Sequence, residues 1–307
     1  MKVMKTRLIL FLVLVIFLSI SFVGVSNQIT SDTKHNPSLP PLRGQWLYVG
    51  GNGIGNYTKI QDAIDSASDG DTVFVYSGWY TENLVINKSI IVSGEERNTT
   101  VIIGENDSEI VLINKSDVEF MRFTIQRNNE TNLIGIMIRN CVSSHIHEIT
   151  VKSCYYGILV VETESVILSD NSILGCFYGI QNVITGNLTI TRNRIDGDGE
   201  GVGIEVQVTR FRNYIKRNSI TNNSIGVSLI FTAYCDVREN NFFENQQSAF
   251  FIDSFFNGWH RNYWNQSYRF PKIIPGQLGG LLIPKTISLI NFDWHPAIEP
   301  YNILDMN

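Results

Sequence analysis

From Thr72 onward the chain runs in short stretches of alternating apolar and polar residues broken by Gly- or Asn-rich turns, as in TVFVYSGWYTENLVINKSIIVSG (72–94). A period of two predicts strands with one buried face, and the β-branched content favours that state. At about four residues each, these strands are too short for a conventional sandwich. Ahead of them, residues 57–67 place Ile60, Ala63, Ile64 and Ala67 at helical spacing, which predicts one short amphipathic helix.

Two ladders organise the strands. Gly-Ile or its equivalent recurs at Gly135-Ile136, Gly157-Ile158, Gly179-Ile180, Gly203-Ile204, Gly226-Val227 and Ala249-Phe250, in steps of 22, 22, 24, 23 and 23. Asn171, Asn193, Asn218, Asn240 and Asn262 follow one another in steps of 22, 25, 22 and 22, with Ile173, Ile195, Ile220, Phe242 and Trp264 two residues after each. Two ladders of one period predict an all-β fold, a right-handed parallel β-helix with about 22–25 residues per coil. Roughly nine or ten coils fit between residues 71 and 264, a rod about 45 Å long at the strand spacing.

Stacking the coils assigns faces. The residue after each Gly (Ile136, Ile158, Ile180, Ile204, Val227, Phe250) and the one two later (Ile138, Val160, Asn182, Val206, Leu229, Ile252) are expected inside. Met137, Leu159, Gln181, Glu205, Ser228 and Phe251 then point outward, as do Arg139, Val161, Val183, Gln207, Ile230 and Asp253. The five asparagines are expected to form an internal ladder whose amides satisfy the backbone at a turn. The helix is placed to cap the first coil, because an open end exposes sheet edges. Residues 271–307 lose the period, carry five prolines and are expected to form an irregular C-terminal cap.

Residues 1–26 read as a signal peptide or signal anchor: Lys2, Lys5 and Arg7 precede an unbroken apolar run over 8–18. Residues 27–45 read as a Pro-containing linker and 46–270 as the β-helix, so the folded part is expected to be secreted or held at the outer face of the cytoplasmic membrane. The net charge of -5 becomes more negative once that basic start is removed, which argues against a nucleic-acid partner.

The motifs Ile60-Gln61-x-Ala63-Ile64, Gly70-Asp71-x-Val73 and Gly78-x-Tyr80-x-Glu82, with the two ladders, resemble right-handed parallel β-helix proteins of the pectin-lyase-like superfamily, in particular the NosD-like branch. The closing stretch 291–303 resembles tails of archaeal exported surface β-helix proteins. The resemblance spans roughly residues 46–303 and implies the fold; functions on that fold range over lyases, hydrolases, epimerases, accessory proteins and adhesins.

The outward columns do not assemble a catalytic set. A uronate lyase or epimerase needs a strong base beside groups that neutralise a carboxylate, and Glu205 and Asp253 stand two coils apart with no acidic neighbour. The sequence therefore favours a non-catalytic surface module binding polysaccharide or cell-envelope material through Leu159, Val161, Val183, Glu205, Ile230 and Phe251, with self-association along that lateral face. The alternatives are a polysaccharide lyase or uronate epimerase and, from the resemblance alone, an accessory protein in metalloprotein maturation.

No cofactor is required; Ca²⁺ is the one candidate, at Asp196, Asp198 and Glu200, which alternate with glycines in the first half of a calcium-loop pattern whose downstream bidentate Glu is missing. His145 and His147 project from one strand face; copper is suggested there only by the resemblance, and the residues themselves read as a solvated face. Of four cysteines, Cys154 and Cys176 each stand three residues before a repeat Gly, so they should stack, either bridged or as two small apolar side chains. Tyr155-Tyr156 and Phe177-Tyr178 should stack with them. Nine sequons, at Asn56, Asn87, Asn98, Asn106, Asn114, Asn129, Asn187, Asn222 and Asn265, are glycosylation candidates.

Overall fold

The computed structural model describes residues 44–105, 108–127, 134–209, 211–268, 270–279 and 286–303. The expected signal segment and nearly all of the linker lie outside these residues, as do Asn106 and Asn129. Among the described residues, no helix is long and apolar enough to cross a membrane.

Three sheets wrap one continuous apolar core, and each successive coil adds one strand to each sheet. Sheet A has ten strands, from Trp46–Val49 to Gly258–His260; sheet B has nine, from Gly78–Thr81 to Tyr263–Trp264; sheet C has ten, from Leu84–Ile86 to Ile287–Asp293. All pairings along the coils are parallel. The architecture is a parallel β-solenoid. Central strands register residue for residue, with Ile136 across from Ile158, Ile158 from Ile180, Ile180 from Ile204 and Ile204 from Val227, all fully buried.

The glycine ladder exists because neighbouring coils approach too closely for a side chain. A Cβ on Gly157, Gly179 or Gly203 would lie 2.6, 2.5 or 2.7 Å from the carbonyl oxygen of Gly179, Gly203 or Gly226 in the next coil. The ladder continues to Ser248, whose carbonyl faces Gly226 in the same way, and not to Ala249. No strand pairs with Ser248 from beyond, since the following strand meets sheet C only at Phe251 and Ile252, so a side chain is tolerated there.

This register corrects the last coil by one residue. Phe250 aligns with Ser228 and Phe251 with Leu229. Phe251, expected on the outer face, is buried in the core at 4% exposure, while Phe250 and Ile252 face outward.

At the turn between sheets A and B, Asp170, Arg192, Arg217, Glu239 and Arg261 all adopt positive φ, between 53° and 58°. Non-glycine residues pay for this conformation. The asparagine that follows each one offsets the cost. Asn171 Nδ2 and backbone N both donate to Asn193 Oδ1 at 3.0 Å, and the pattern repeats from Asn193 to Asn218, Asn218 to Asn240 and Asn240 to Asn262. Each Nδ2 also reaches a strand carbonyl of the preceding coil, as Asn193 does to Leu168 O at 2.9 Å. All five asparagines are fully buried.

The helix Ile60–Ser66 closes the N-terminal end by burying Ile60, Ala63 and Ile64. The first free N–H groups of the helix, Ile60 and Gln61, donate to the two oxygens of Glu82 at 2.8 and 3.0 Å. The C-terminal end holds more regular structure than its prolines suggest. Lys272–Leu278 joins sheet C, and Ile287–Asp293 returns antiparallel along its whole length.

Candidate functional site

The outer face of sheet A carries one gathered set of metal-ligating side chains. In His145–His147, Ile146 points into the core, which sends both imidazoles outward. The register places Glu119 beside His145 and Met121 beside His147 in the preceding coil, with Ile167 and Ser169 in the following one. His147 Nε2 lies 3.0 Å from Glu119 Oε1, and the rings stack at 4.2 Å and 24°. One ligand atom each from Glu119, His145 and His147 lies within 4.8 Å of the others, the only such group of three among the described residues.

The surroundings favour the neutral form of His145. Partial burial, then the neighbouring His147, hold its pKa below that of a free imidazole, opposed by Glu119 and Asp170. Its Nε2 shares a hydrogen bond with Ser169 Oγ at 2.9 Å. Two imidazoles and a carboxylate suit Cu²⁺ or Zn²⁺ and suit Ca²⁺ poorly.

The candidate calcium residues are not drawn together. Asp196 ends a strand and pairs with Arg194 at 3.1 Å, while Asp198 Oδ1 accepts the backbone N–H of Glu200 at 3.1 Å.

The outer face of sheet C presents a second arrangement. Tyr155 stacks on Phe177 at 4.9 Å and 4°, and Tyr156 on Tyr178 at 5.1 Å and 12°, one coil apart as the repeat dictates. One column further along the strands, Glu205 Oε1 accepts Gln181 Nε2 at 2.6 Å and Gln207 Nε2 at 2.5 Å. Glu205 is only 6% exposed although it faces away from the core. Burial and then the nearby Glu205 charge push the Tyr178 phenol up to about 12. Leu159, Val161, Val183 and Ile230 lie half-buried on the same face.

The four cysteines are buried free thiols. Cys154 and Cys176 stack unbridged and interact; hydrogen bonding between them holds one thiol below and the other above its ordinary value. Of the described sequons, Asn87, Asn98, Asn187, Asn222 and Asn265 are exposed, while Asn56 and Asn114 are half-buried.

Three partners carry no linear signal of their role: Glu119, Gln181 and Gln207. Glu119 stands 26 residues before His145, one coil away, and aligning Glu-Phe-Met at 119–121 with His-Ile-His at 145–147 would have found it. Gln181 and Gln207 stood in the outward columns but were not recognised as ligands of Glu205.

A parallel β-solenoid with an imidazole-carboxylate cluster on one side and an aromatic, amide-rich face on another defines the class of protein. The chain belongs to the NosD family: a family model described as periplasmic copper-binding protein (NosD) matches residues 64–277. No curated protein matches it significantly. Among solved structures, DFA-IIIase from Arthrobacter chlorophenolicus A6 is 13% identical with a TM-score of 0.51, covering 71% of this chain and 69% of its own. Pectin methylesterase PemA from Erwinia chrysanthemi is 12% identical with a TM-score of 0.44, covering 68% and 88%. ORF18 of Geobacillus virus E2 is 13% identical with a TM-score of 0.44; the match covers 71% of this chain and 57% of the viral one. Identities this low speak to fold alone.

Proposed function

We propose that this chain is an exported solenoid that binds a copper-class transition-metal ion on sheet A. The observation that carries the reading is the convergence of Glu119, His145 and His147 within 4.8 Å on a rigid strand pair. The family description as periplasmic copper-binding supports both the metal and the compartment. His145 and His147 supply imidazole nitrogens, and Glu119 neutralises part of the cation charge. Ser169, bonded to His145, and Glu148, 3.5 Å from His147 Nδ1, orient the rings from behind. A bound ion would contribute Lewis acidity or a stored metal equivalent for delivery. Titration of the purified protein with Cu²⁺, followed by calorimetry and electron paramagnetic resonance, tests the reading: one equivalent with nitrogen hyperfine structure is expected, and absence of stoichiometric binding rejects it.

A second reading is favoured by the ring cluster on sheet C. Tyr155, Tyr156, Phe177 and Tyr178 form a two-coil platform of the kind that stacks on sugar rings. In this reading the same face binds envelope polysaccharide without cleaving it. Leu159→Asp with Val183→Asp should leave the circular dichroism spectrum unchanged, because both side chains point outward, and should abolish retention on envelope fractions or self-association. A double variant that unfolds, or binding that survives it, contradicts this use of the face.

A further inference from the structure

The polysaccharide reading leaves the charge of the ligand open, and Glu205 decides it. This residue sits on the outside of the solenoid yet is 6% exposed, and Gln181, which donates to it, is 9% exposed. Taking a carboxylate out of water is costly unless its oxygens are satisfied. Here only half of that requirement is met: Gln181 and Gln207 both donate to Oε1. Oε2 has no partner among the described residues and is not sealed from solvent. No Lys, Arg or His pairs with this carboxylate among the described residues.

The neighbours sharpen the requirement. Each glutamine donates one amide hydrogen to Glu205 and keeps its carbonyl oxygen as a further acceptor. The stacked Tyr156 and Tyr178 lie near enough for the Glu205 charge to raise both phenols, and aromatic rings attract cations and polarised C–H groups. Arg139, in the same outward column as Gln207, stands three strands away from it, about 14 Å at the strand spacing. Among the described residues the site therefore offers carboxylate and amide acceptors with no positive charge paired to Glu205.

We infer that the sheet C face selects a glycan carrying amino or hydroxyl donors and no carboxylate, with Glu205 Oε2 accepting an ammonium or hydroxyl while Tyr156 and Tyr178 stack on the adjoining ring. This inference rests on the polysaccharide reading. It separates the site from one built for uronate polymers, whose carboxylates would meet Glu205 with like charge and find no neutralising cation.

Three hexasaccharides test it by calorimetry on the full chain: a β-1,4-glucosamine oligomer, cellohexaose and a galacturonate oligomer. The glucosamine oligomer should bind best and weaken with added salt, cellohexaose should bind at least tenfold more weakly, and the galacturonate oligomer should give no heat. Glu205→Gln should cost at least tenfold on the glucosamine oligomer and distinctly less on cellohexaose. Tyr178→Ala, which leaves the carboxylate in place, should weaken both ligands alike; it also serves if the Glu205 variant fails to fold. Galacturonate binding equal to or tighter than glucosamine binding overturns the inference while leaving the polysaccharide reading intact. An equal loss on both ligands in Glu205→Gln likewise overturns it. Failure of all three sugars to bind removes the polysaccharide reading and the inference with it.

Discussion

Asp293 ends the ladder that the asparagines begin: its Oδ2 accepts the backbone N–H of Asn262 at 2.8 Å and the Nδ2 of the same residue at 3.2 Å, the two bonds that each earlier asparagine makes to the next. The carboxylate also takes Trp264 Nε1 at 3.1 Å and the backbone N–H of Arg261 at 3.0 Å. It is fully buried. Asp293→Ala strands several buried donors at once and is expected to cost on the order of 3 kcal/mol or more, against roughly 1–3 kcal/mol for Asn193→Leu within the ladder. Urea denaturation followed by circular dichroism checks both; a midpoint unchanged in either variant refutes the ladder's contribution.

Gly179 makes the complementary case for a missing side chain. Its would-be Cβ meets the Gly203 carbonyl at 2.5 Å, so Gly179→Ala must push two coils apart and should destabilise by about 1–3 kcal/mol. At Ser248 the change to Ala should be nearly neutral, since no strand pairs with it from beyond. The difference between the two melting temperatures is the measurement, and equal shifts contradict the stacking account.

His147→Ala is expected to lower Cu²⁺ affinity more than Glu119→Gln, which removes charge but keeps an oxygen donor; the latter should cost roughly tenfold or more. Neither change touches the core, so melting curves without metal should match the parent. Cu²⁺ competition against a chromophoric chelator reports the affinities.

Glu239 bridges Arg217 and Arg261, its neighbours one coil to either side, at 2.8 Å each. Its carboxyl lies below the usual range: the Arg217 hydrogen bond lowers it most, burial opposes, and the charges of Arg217, Arg261 and Arg238 add to the lowering. A depressed carboxyl stabilises the fold above its unfolded-state pKa of 4.5 and loses that contribution as pH falls through the folded-state value. Glu239→Gln should therefore lower the melting temperature slightly at pH 7, less at high salt, and not at all near pH 2. An equal decrement at every pH excludes the ion pair as its cause.

The four thiols should react slowly with a thiol reagent in the native protein, because all are buried and burial pushes Cys235 up to about 12. Denaturation without reductant should release four reactive thiols per chain. A count of two would establish a bridge, for which the stacked Cys154 and Cys176 are the geometric candidates.

Repetition made the fold legible. Once Gly157, Gly179 and Asn171, Asn193 fixed the period, sheet membership and the inward positions followed, because stacked coils allow only one register. At the last coil the spacing points to Ala249, whereas Ser248 holds the ladder position and Ala249 pairs with Val227. Steric demand fades at the last coil, so Ser248 could occupy the position without a sequence signature. The chemical sites were less visible, since each joins residues 24 to 28 apart that become neighbours only through the pitch of the coil. Glu119 meets His147 and Gln181 meets Glu205 across coils of unequal length, which no linear motif encodes.

The asparagine ladder has a direction. Every member passes two hydrogens toward the C-terminus, so the series starts with a spare acceptor, Asn171 Oδ1, which takes the Ile149 N–H at 3.0 Å, and finishes with surplus donors that only a side chain lacking hydrogens can absorb. An internal ladder asparagine makes the same bonds as its neighbours, so duplicating one 22-residue unit should lengthen the rod without altering the bonds at either end of the ladder. The carboxylate of Asp293 cannot be copied inward or left behind. A coil added to such a rod therefore belongs between two ladder asparagines, upstream of the Asp293 terminator.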